Sequence, residues 1–163
     1  MAFGNKNPTL DFTSKPDSGA TFIIAQLYFD HDKSKDKDFE NYTGPQPPLQ
    51  KNDKVIGSLV STSQQLTFAI WDDALEGGDS ISININGKSF VHGFPVKIKP
   101  QFLTVTLKPG PNTITYIADN LGSIPPNTSI LEIIDGNKRR SFDIETTMGE
   151  NNLINIFYDI KTP

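Results

Sequence analysis

Acidic side chains are concentrated in one short segment of the chain. Four carboxylates lie within eight residues: Asp72, Asp73, Glu76 and Asp79. Hard cations such as Ca²⁺ bind several oxygen ligands on a bent loop, and two glycines before Asp79 allow such a bend. The segment is therefore a candidate calcium site, with Asp119 approaching from a neighbouring loop. Its spacing differs from that of an EF-hand loop, and the alternative is a polar turn in which Asp79 hydrogen-bonds the backbone.

Nucleophilic and acid–base chemistry finds less support. The chain has two histidines, His31 and His92, and neither has a second strong metal ligand at helical or hairpin spacing. A G-x-S-x-G nucleophile element is missing, as is a phosphate-binding G-x-x-x-x-G-K-[ST] loop. We therefore predict that the protein has no catalytic residue and is not an enzyme, and calcium is the one cofactor that the residues suggest.

A long segment, Asp30–Pro48, combines charges of both signs with a proline-rich second half. It is longer than the roughly 2–6 residues typical of connections between elements. Phe39 and Tyr42 are its large apolar side chains, and aromatic rings surrounded by charge resemble the anchors of binding interfaces. We predict that this segment is the working surface, with Phe94 as a third exposed ring beside a loop. The alternative is a connector whose rings fold back onto the domain.

Composition limits the classes of protein and partner. A chain of 163 residues fits one domain, and the absence of cysteine excludes disulfide frameworks and thiolate metal sites. A net charge of −4 argues against nucleic acid as a partner. No apolar run approaches the ~20 residues that span a bilayer, so membrane insertion is not expected. The N-terminus shows no signal core, which predicts an extracellular or surface-associated protein if a leader has been removed, and otherwise a cytoplasmic one awaiting particle assembly or release.

The elements that position these residues are strands. Ser80–Asn86 alternates isoleucine with polar residues, as a half-buried strand does, and Asn86-Gly87 predicts a type I′ hairpin turn into Lys88–Val91. Similar patterns predict further strands at Thr21–Phe29, Val55–Ser61, Leu66–Trp71, Leu103–Leu107, Asn112–Ala118, Ser129–Ile134, Arg140–Ile144 and Leu153–Ile160. The only candidate helical turn is Asp72–Glu76. We expect the basic run Lys138–Arg140 to lie on the return strand of a hairpin.

These patterns predict an all-β fold, an antiparallel β-sandwich or jelly roll with little or no helix. Residues 50–163 would form the sandwich body. Residues 1–49 would add an N-terminal strand and the long charged loop, packed onto the same domain. The expected core contains Ile81, Ile83, Ile85, Leu103, Val105, Leu107, Ile114, Leu131 and Ile133.

The order of turns between residues 50 and 160 carries a resemblance. Its motifs are Ile70-Trp-Asp-Asp73, Gly78-Asp79 before the alternating strand into Asn86-Gly87, Gly110-Pro-Asn-Thr-Ile114, Pro125-Pro-Asn-Thr128 and Asp135-Gly136. In this order the chain resembles a β-sandwich domain that recurs in extracellular proteins of Bacteroidetes-type bacteria and, more loosely, calcium-dependent carbohydrate-binding jelly rolls. The resemblance implies a sandwich fold. Gly77 stands where the family usually has an acidic residue, which weakens a cation site carried over from it.

Two functions remain open from the sequence. The first is a non-enzymatic binding module that recognises a glycan or a protein surface through loops at one end of the sandwich. The second is a self-assembling structural subunit or adaptor of a larger particle, such as a phage-like contractile injection system or another surface assembly. A binding module should lose its ligand when loop residues change, whereas an assembly subunit should bury those loops against its neighbours.

Overall fold

The computed structural model of the chain describes residues 33–74 and 76–161. The chain divides into two compact units, residues 1–36 and residues 37–163. Of the first unit, the described part contains a single 3₁₀ turn at Lys33–Lys35. The predicted strand Thr21–Phe29 and His31 lie outside the described residues. Residues 37–49 belong to the same unit as the sandwich.

This unit is a sandwich of two β-sheets, as the alternating sequence predicted. Its nine described strands are β1 (Asp53–Ser61), β2 (Gln65–Trp71), β3 (Ser80–Ile85), β4 (Lys88–Pro95), β5 (Gln101–Thr106), β6 (Gly110–Ala118), β7 (Asn127–Asp135), β8 (Lys138–Thr146) and β9 (Asn151–Tyr158). One sheet has the strand order β1-β9-β6-β3-β4, and the other has the order β5-β2-β7-β8. All described pairings are antiparallel except that of β1 with β9.

Local sequence explains the two clearest hairpins. Asn86 and Gly87 both have positive φ, 53° and 78°, which is the backbone of the predicted type I′ turn between β3 and β4. Gly136, also with positive φ, turns β7 into β8, so the Lys138–Arg140 run begins the return strand as expected. The predicted helical turn at Asp72–Glu76 is wrong at the described positions, since residues 73 and 74 are a bend and residues 72 and 76–79 carry no helix.

The core lies between the two sheets and confirms the periodicity argument. Of the nine residues predicted for it, seven are fully buried, and Ile85 and Leu103 pack partly buried against the same cluster. Phe39 is the unexpected member, with only 4% of its surface exposed. Its burial brings a residue from outside the strands into the core and anchors the chain before β1 on the sandwich.

Two consecutive segments before β1 run along the sandwich. The edge segment, Lys37–Asn41, contacts both sheets, because Lys37 forms a bridge with Lys138 of β8 and Glu40 forms one with Val60 of β1. The proline segment, Tyr42–Gln50, then crosses the outer face of β9. Tyr42 stacks on Phe157 with ring centroids 4.9 Å apart, and Gln46 accepts a hydrogen bond from Asn155. Both segments are therefore part of the fold.

Candidate functional site

A groove of 370 Å³ lies on the outer face of the five-stranded sheet. Its lining comes from the end of the proline segment, the β3–β4 hairpin, the β5–β6 turn and the outward-facing residues of β6 and β9. These residues are Pro47, Pro48, Gln50, Asp53, Asn86, Gly87, Lys108, Pro111, Thr113, Thr115 and Leu153. The volume lies within the ~300–1,000 Å³ typical of small-molecule pockets.

Alternation along the strands provides the floor of this groove. Ile114 and Tyr116 of β6 point into the core, so Thr113 and Thr115 point outward. On β9 the same rule places Leu153 on the outer face, where it is nevertheless buried. The floor thus combines hydroxyl groups with an aliphatic side chain, a mixture suited to a ligand with both polar edges and apolar faces.

Hydrogen bonds hold the walls of the groove in place. The backbone amide of Gln50 donates to Asp53 Oδ2 at 3.0 Å, and Asn151 Nδ2 donates to Asp53 Oδ1 at 3.2 Å. On the opposite wall, Asn86 Nδ2 donates to Asn112 Oδ1 and the Thr113 amide donates to Asn86 Oδ1. Lys108 forms no ion pair within residues 33–74 and 76–161, and the Thr115 hydroxyl has no hydrogen-bond partner there. A cation and a hydroxyl therefore remain available on a fixed frame.

A second polar cluster on the same sheet joins Ser82, His92 and Asp119. Ser82 Oγ lies 2.7 Å from His92 Nδ1 and 2.8 and 3.0 Å from the two carboxylate oxygens of Asp119. The Gly93 amide also donates to Asp119, at 2.9 Å. Because a carboxylate only accepts, Ser82 donates to Asp119, and His92 Nδ1–H donates to Ser82. The serine proton is thus directed away from the imidazole, unlike in a Ser-His-Asp triad, where histidine takes it.

No local motif in the sequence reveals this cluster, because Asp119 lies 37 positions from Ser82 in the chain. Pairing of β3 with β4 and with β6 brings them together. The alternation of β3 alone indicated that Ser82 faces outward, but only the strand order places it between the other two. His92 itself is 81% exposed at its side chain, and Asp119 is satisfied by Ser82 and Gly93.

The acidic turn predicted to bind calcium is only partly assembled. Asp72 and Asp79 are buried, whereas Asp73 and Glu76 are exposed. Asp119 is engaged in the cluster with Ser82. In the part of the chain that the structure describes, no three or more His, Cys, Asp or Glu side chains are grouped to hold a metal ion. The five carboxylates thus lie in different surroundings, and calcium binding at this turn stays a prediction.

Electrostatics distinguish the two buried carboxylates of this turn. Burial and, secondly, the charge of Asp72 raise the pKa of Asp79. Asp72 Oδ1 accepts a hydrogen bond from the Ala74 amide at 2.9 Å, whereas Asp79 Oδ1 is buried and has no hydrogen-bond partner. Ionised Asp79 is consequently held at a cost in free energy, since a buried charge without a partner is unfavourable.

The three aromatic anchors predicted from the sequence lie in different surroundings. Phe39 is a core residue, so the prediction of an exposed anchor at this position is wrong. Tyr42 is half-buried between Phe157 and Gly44, and its hydroxyl donates to the Pro45 carbonyl at 3.2 Å. Phe94 is half-buried and packs against the core. These rings fold back on the sandwich, because an aromatic surface left in water forgoes the free energy of burial.

Charged residues in the described part of the Asp30–Pro48 segment also have partners within the chain. Arg140 Nε donates to Asp38 Oδ1 at 2.7 Å, and its two terminal nitrogens donate to Asn41 Oδ1, the Ser58 carbonyl and the Phe39 carbonyl. The hydrogen bond from Arg140 is the largest influence holding the pKa of Asp38 below its usual range. Arg140, the last residue of the predicted basic run, thus holds the edge segment in place.

Comparison with protein-family models, with curated proteins and with solved structures finds no match. The resemblance to bacterial extracellular sandwich domains therefore stays a prediction. Among the described residues, no helix has the length and apolar character needed to cross a membrane.

Proposed function

We propose that this protein is a non-enzymatic binding module that binds a carbohydrate in the groove on its five-stranded sheet. The observation that carries the proposal is the lining of that groove. Hydroxyl, amide, carboxylate and ammonium groups stand beside the aliphatic faces of prolines and Leu153. Sugars present the same two kinds of surface, hydroxyl groups at the ring edge and C–H groups on the ring face.

The rigidity of the groove supports a binding role. Tyr42 stacking on Phe157 fixes one end of the proline segment, and the pair of hydrogen bonds between Gln50 and Asp53 fixes the other. Pro47 and Pro48 between these anchors have restricted backbone dihedrals. A wall that is already ordered loses little conformational entropy when a ligand docks.

Binding without turnover is favoured because the described residues of the groove lining do not include a matched acid, base and nucleophile. Among them Asp53 is the only carboxylate, and the backbone amide of Gln50 and the side chain of Asn151 already donate to it. Hydrolysis of a glycosidic bond commonly uses two carboxyl groups on either side of the bond. The polar groups of the groove are suited to binding a ligand in one orientation.

The test is a glycan array followed by calorimetric titration with the best-binding oligosaccharide. Thr115→Val and Lys108→Ala should each weaken binding about tenfold, which corresponds to the loss of one hydrogen bond of about 1.4 kcal/mol. Thr104→Val changes an exposed threonine of β5 outside the groove and is the matched control.

Absence of binding to every glycan on the array would contradict the proposal, as would an affinity that the groove variants leave unchanged. The structural-subunit alternative has its own signature. Native mass spectrometry would then show a defined oligomer in place of a monomer, and the groove variants would leave that oligomer intact.

A further inference from the structure

The groove on the five-stranded sheet has a charged side chain at each end. Among its described lining residues, Asp53 and Lys108 carry the formal charges. Asp53 pairs with Asn151 at the start of β9, whereas Gly110, two residues beyond Lys108, pairs with Tyr158 at the end of β9. The strand register therefore separates an acidic end of the groove from a basic end.

The carboxylate at the acidic end contributes to the fold of the groove wall. Both oxygens of Asp53 accept hydrogen bonds, one from the Gln50 backbone amide and one from the Asn151 side chain. The Asp53 backbone amide in turn donates to the Gln50 carbonyl at 3.1 Å. These contacts close the turn that leads from the proline segment into β1, so Asp53 has a structural role without a ligand.

The ammonium group at the basic end has no such role, although its backbone is firmly held. The Lys108 amide donates to Asn112 Oδ1 at 3.0 Å, and the Lys108 carbonyl accepts from Asn112 Nδ2 at 2.8 Å. Asn112 is buried and also accepts from Asn86, which fixes this turn against the β3–β4 hairpin. Within the part of the chain that the structure describes, neither Lys108 nor Lys88, which follows Gly87, forms an ion pair. The positive charge at this end is therefore available to a ligand.

We propose that the carbohydrate bound in this groove is acidic and that its carboxylate or sulfate group binds beside Lys108. This inference rests on the proposed function and adds the class of the ligand and its orientation. Hydrogen bonds between an ammonium group and an anion are stronger than those between neutral groups. An anionic group at the opposite end would meet the like charge of Asp53. The uncharged part of the sugar then lies over Thr115 and Leu153.

The experiment compares oligosaccharides that differ in charge and share their sugar ring. An array presents oligomers of galacturonate, mannuronate and glucuronate, each beside its methyl ester, and a sulfated galactan oligomer beside its desulfated form. At low ionic strength at least one acidic member should bind the full chain about tenfold more tightly than its neutral counterpart. This ratio should fall as salt is added, because salt screens the charges. The uronate and sulfate pairs show which anionic group is bound.

Variants then locate the anion by calorimetric titration with the best-binding pair. Lys108→Gln keeps a hydrogen-bond donor but removes the charge, so the affinity for the acidic member should fall about tenfold, to that of the neutral one. Thr115→Val should weaken the binding of both members. Lys99→Gln removes the same charge from an exposed position between β4 and β5, outside the groove, and should change neither affinity.

The outcomes separate this inference from the proposed function. If acidic and neutral members bind equally and Thr115→Val weakens both, the inference is overturned and carbohydrate binding in the groove stands. A preference for acidic members that survives in Lys108→Gln also overturns it, because the anionic group then binds elsewhere. Absence of binding to every member of the array overturns the proposed function and this inference with it.

Discussion

The edge segment Lys37–Asn41 and the turn Asp72–Asp79 both bring acidic side chains against the sandwich. The surroundings of these carboxylates shift their pKa values in opposite directions. Asp38 has a guanidinium 2.7 Å away, and its pKa is lowered. Asp79 has another carboxylate nearby and no hydrogen bond to its buried oxygen, and its pKa is raised.

The difference lies in the hydrogen bonding of the carboxylates. Around Arg140, polar groups of the edge segment have partners within the chain, and these contacts contribute to the fold. At Asp79, a buried oxygen has no hydrogen-bond partner among the described residues, and burial and the charge of Asp72 raise the pKa. Both regions have a similar composition, so charge density in the sequence does not discriminate between them.

Breaking the edge segment at its apolar anchor should have the largest effect. Phe39→Ala removes a buried ring from the core, and we expect the free energy of unfolding to fall by about 3–5 kcal/mol. Chemical denaturation monitored by tryptophan fluorescence measures this loss. Phe90→Ala, at an exposed position of β4, is the control and should cost less than about 1 kcal/mol. Equal losses in the two variants would show that Phe39 is not a core residue.

Removing the guanidinium of the edge segment should have the next largest effect. Arg140→Met keeps much of the aliphatic stem but leaves the Phe39 and Ser58 carbonyls without their donor. Loss of hydrogen bonds to part-buried groups should lower the free energy of unfolding by about 2–3 kcal/mol. Lys54→Met breaks the exposed pair with Glu150, 3.7 Å apart, and should change it by less than about 1 kcal/mol. A loss no larger in Arg140→Met than in Lys54→Met contradicts the role given to Arg140.

The smallest expected effect is on the pH dependence of the unfolding free energy, through Asp38. Because the folded pKa of Asp38 is depressed, its ionised form stabilises the fold above the unfolded pKa of ~3.9. That contribution is lost as pH falls through the folded pKa. Asp38 is largely exposed, so Asp38→Asn should cost only a few tenths of a kcal/mol at neutral pH.

The measurement is the difference in unfolding free energy between wild type and Asp38→Asn from neutral pH to about pH 3. This difference should shrink toward zero at the acidic end. Asp143→Asn alters an exposed carboxylate that forms no ion pair within the described residues and is the matched control. A difference for Asp38→Asn that grows on acidification would show that the sign of the shift is wrong.

The described strands, the face on which the core residues lie and the hairpin at Asn86-Gly87 follow from local sequence. These features depend on local chemistry: isoleucine alternation buries one face of β3, and Asn86-Gly87 accepts the positive φ angles of its turn. Nine of the predicted strands appear, most with ends shifted by a few residues, because strand ends depend on pairing partners and not on the pattern alone.

Which polar residues come into hydrogen-bonding contact depends on the tertiary structure. Ser82, His92 and Asp119 come together through strand order, and Arg140 reaches a segment about one hundred positions away in the sequence. The same holds for Asp79, whose burial against Gly122 no local spacing reveals. Burial and hydrogen bonding of a side chain depend on contacts between distant parts of the chain, whereas periodicity records only which way each residue points. For this reason Phe39 could be read as an exposed anchor in the sequence and yet lie in the core.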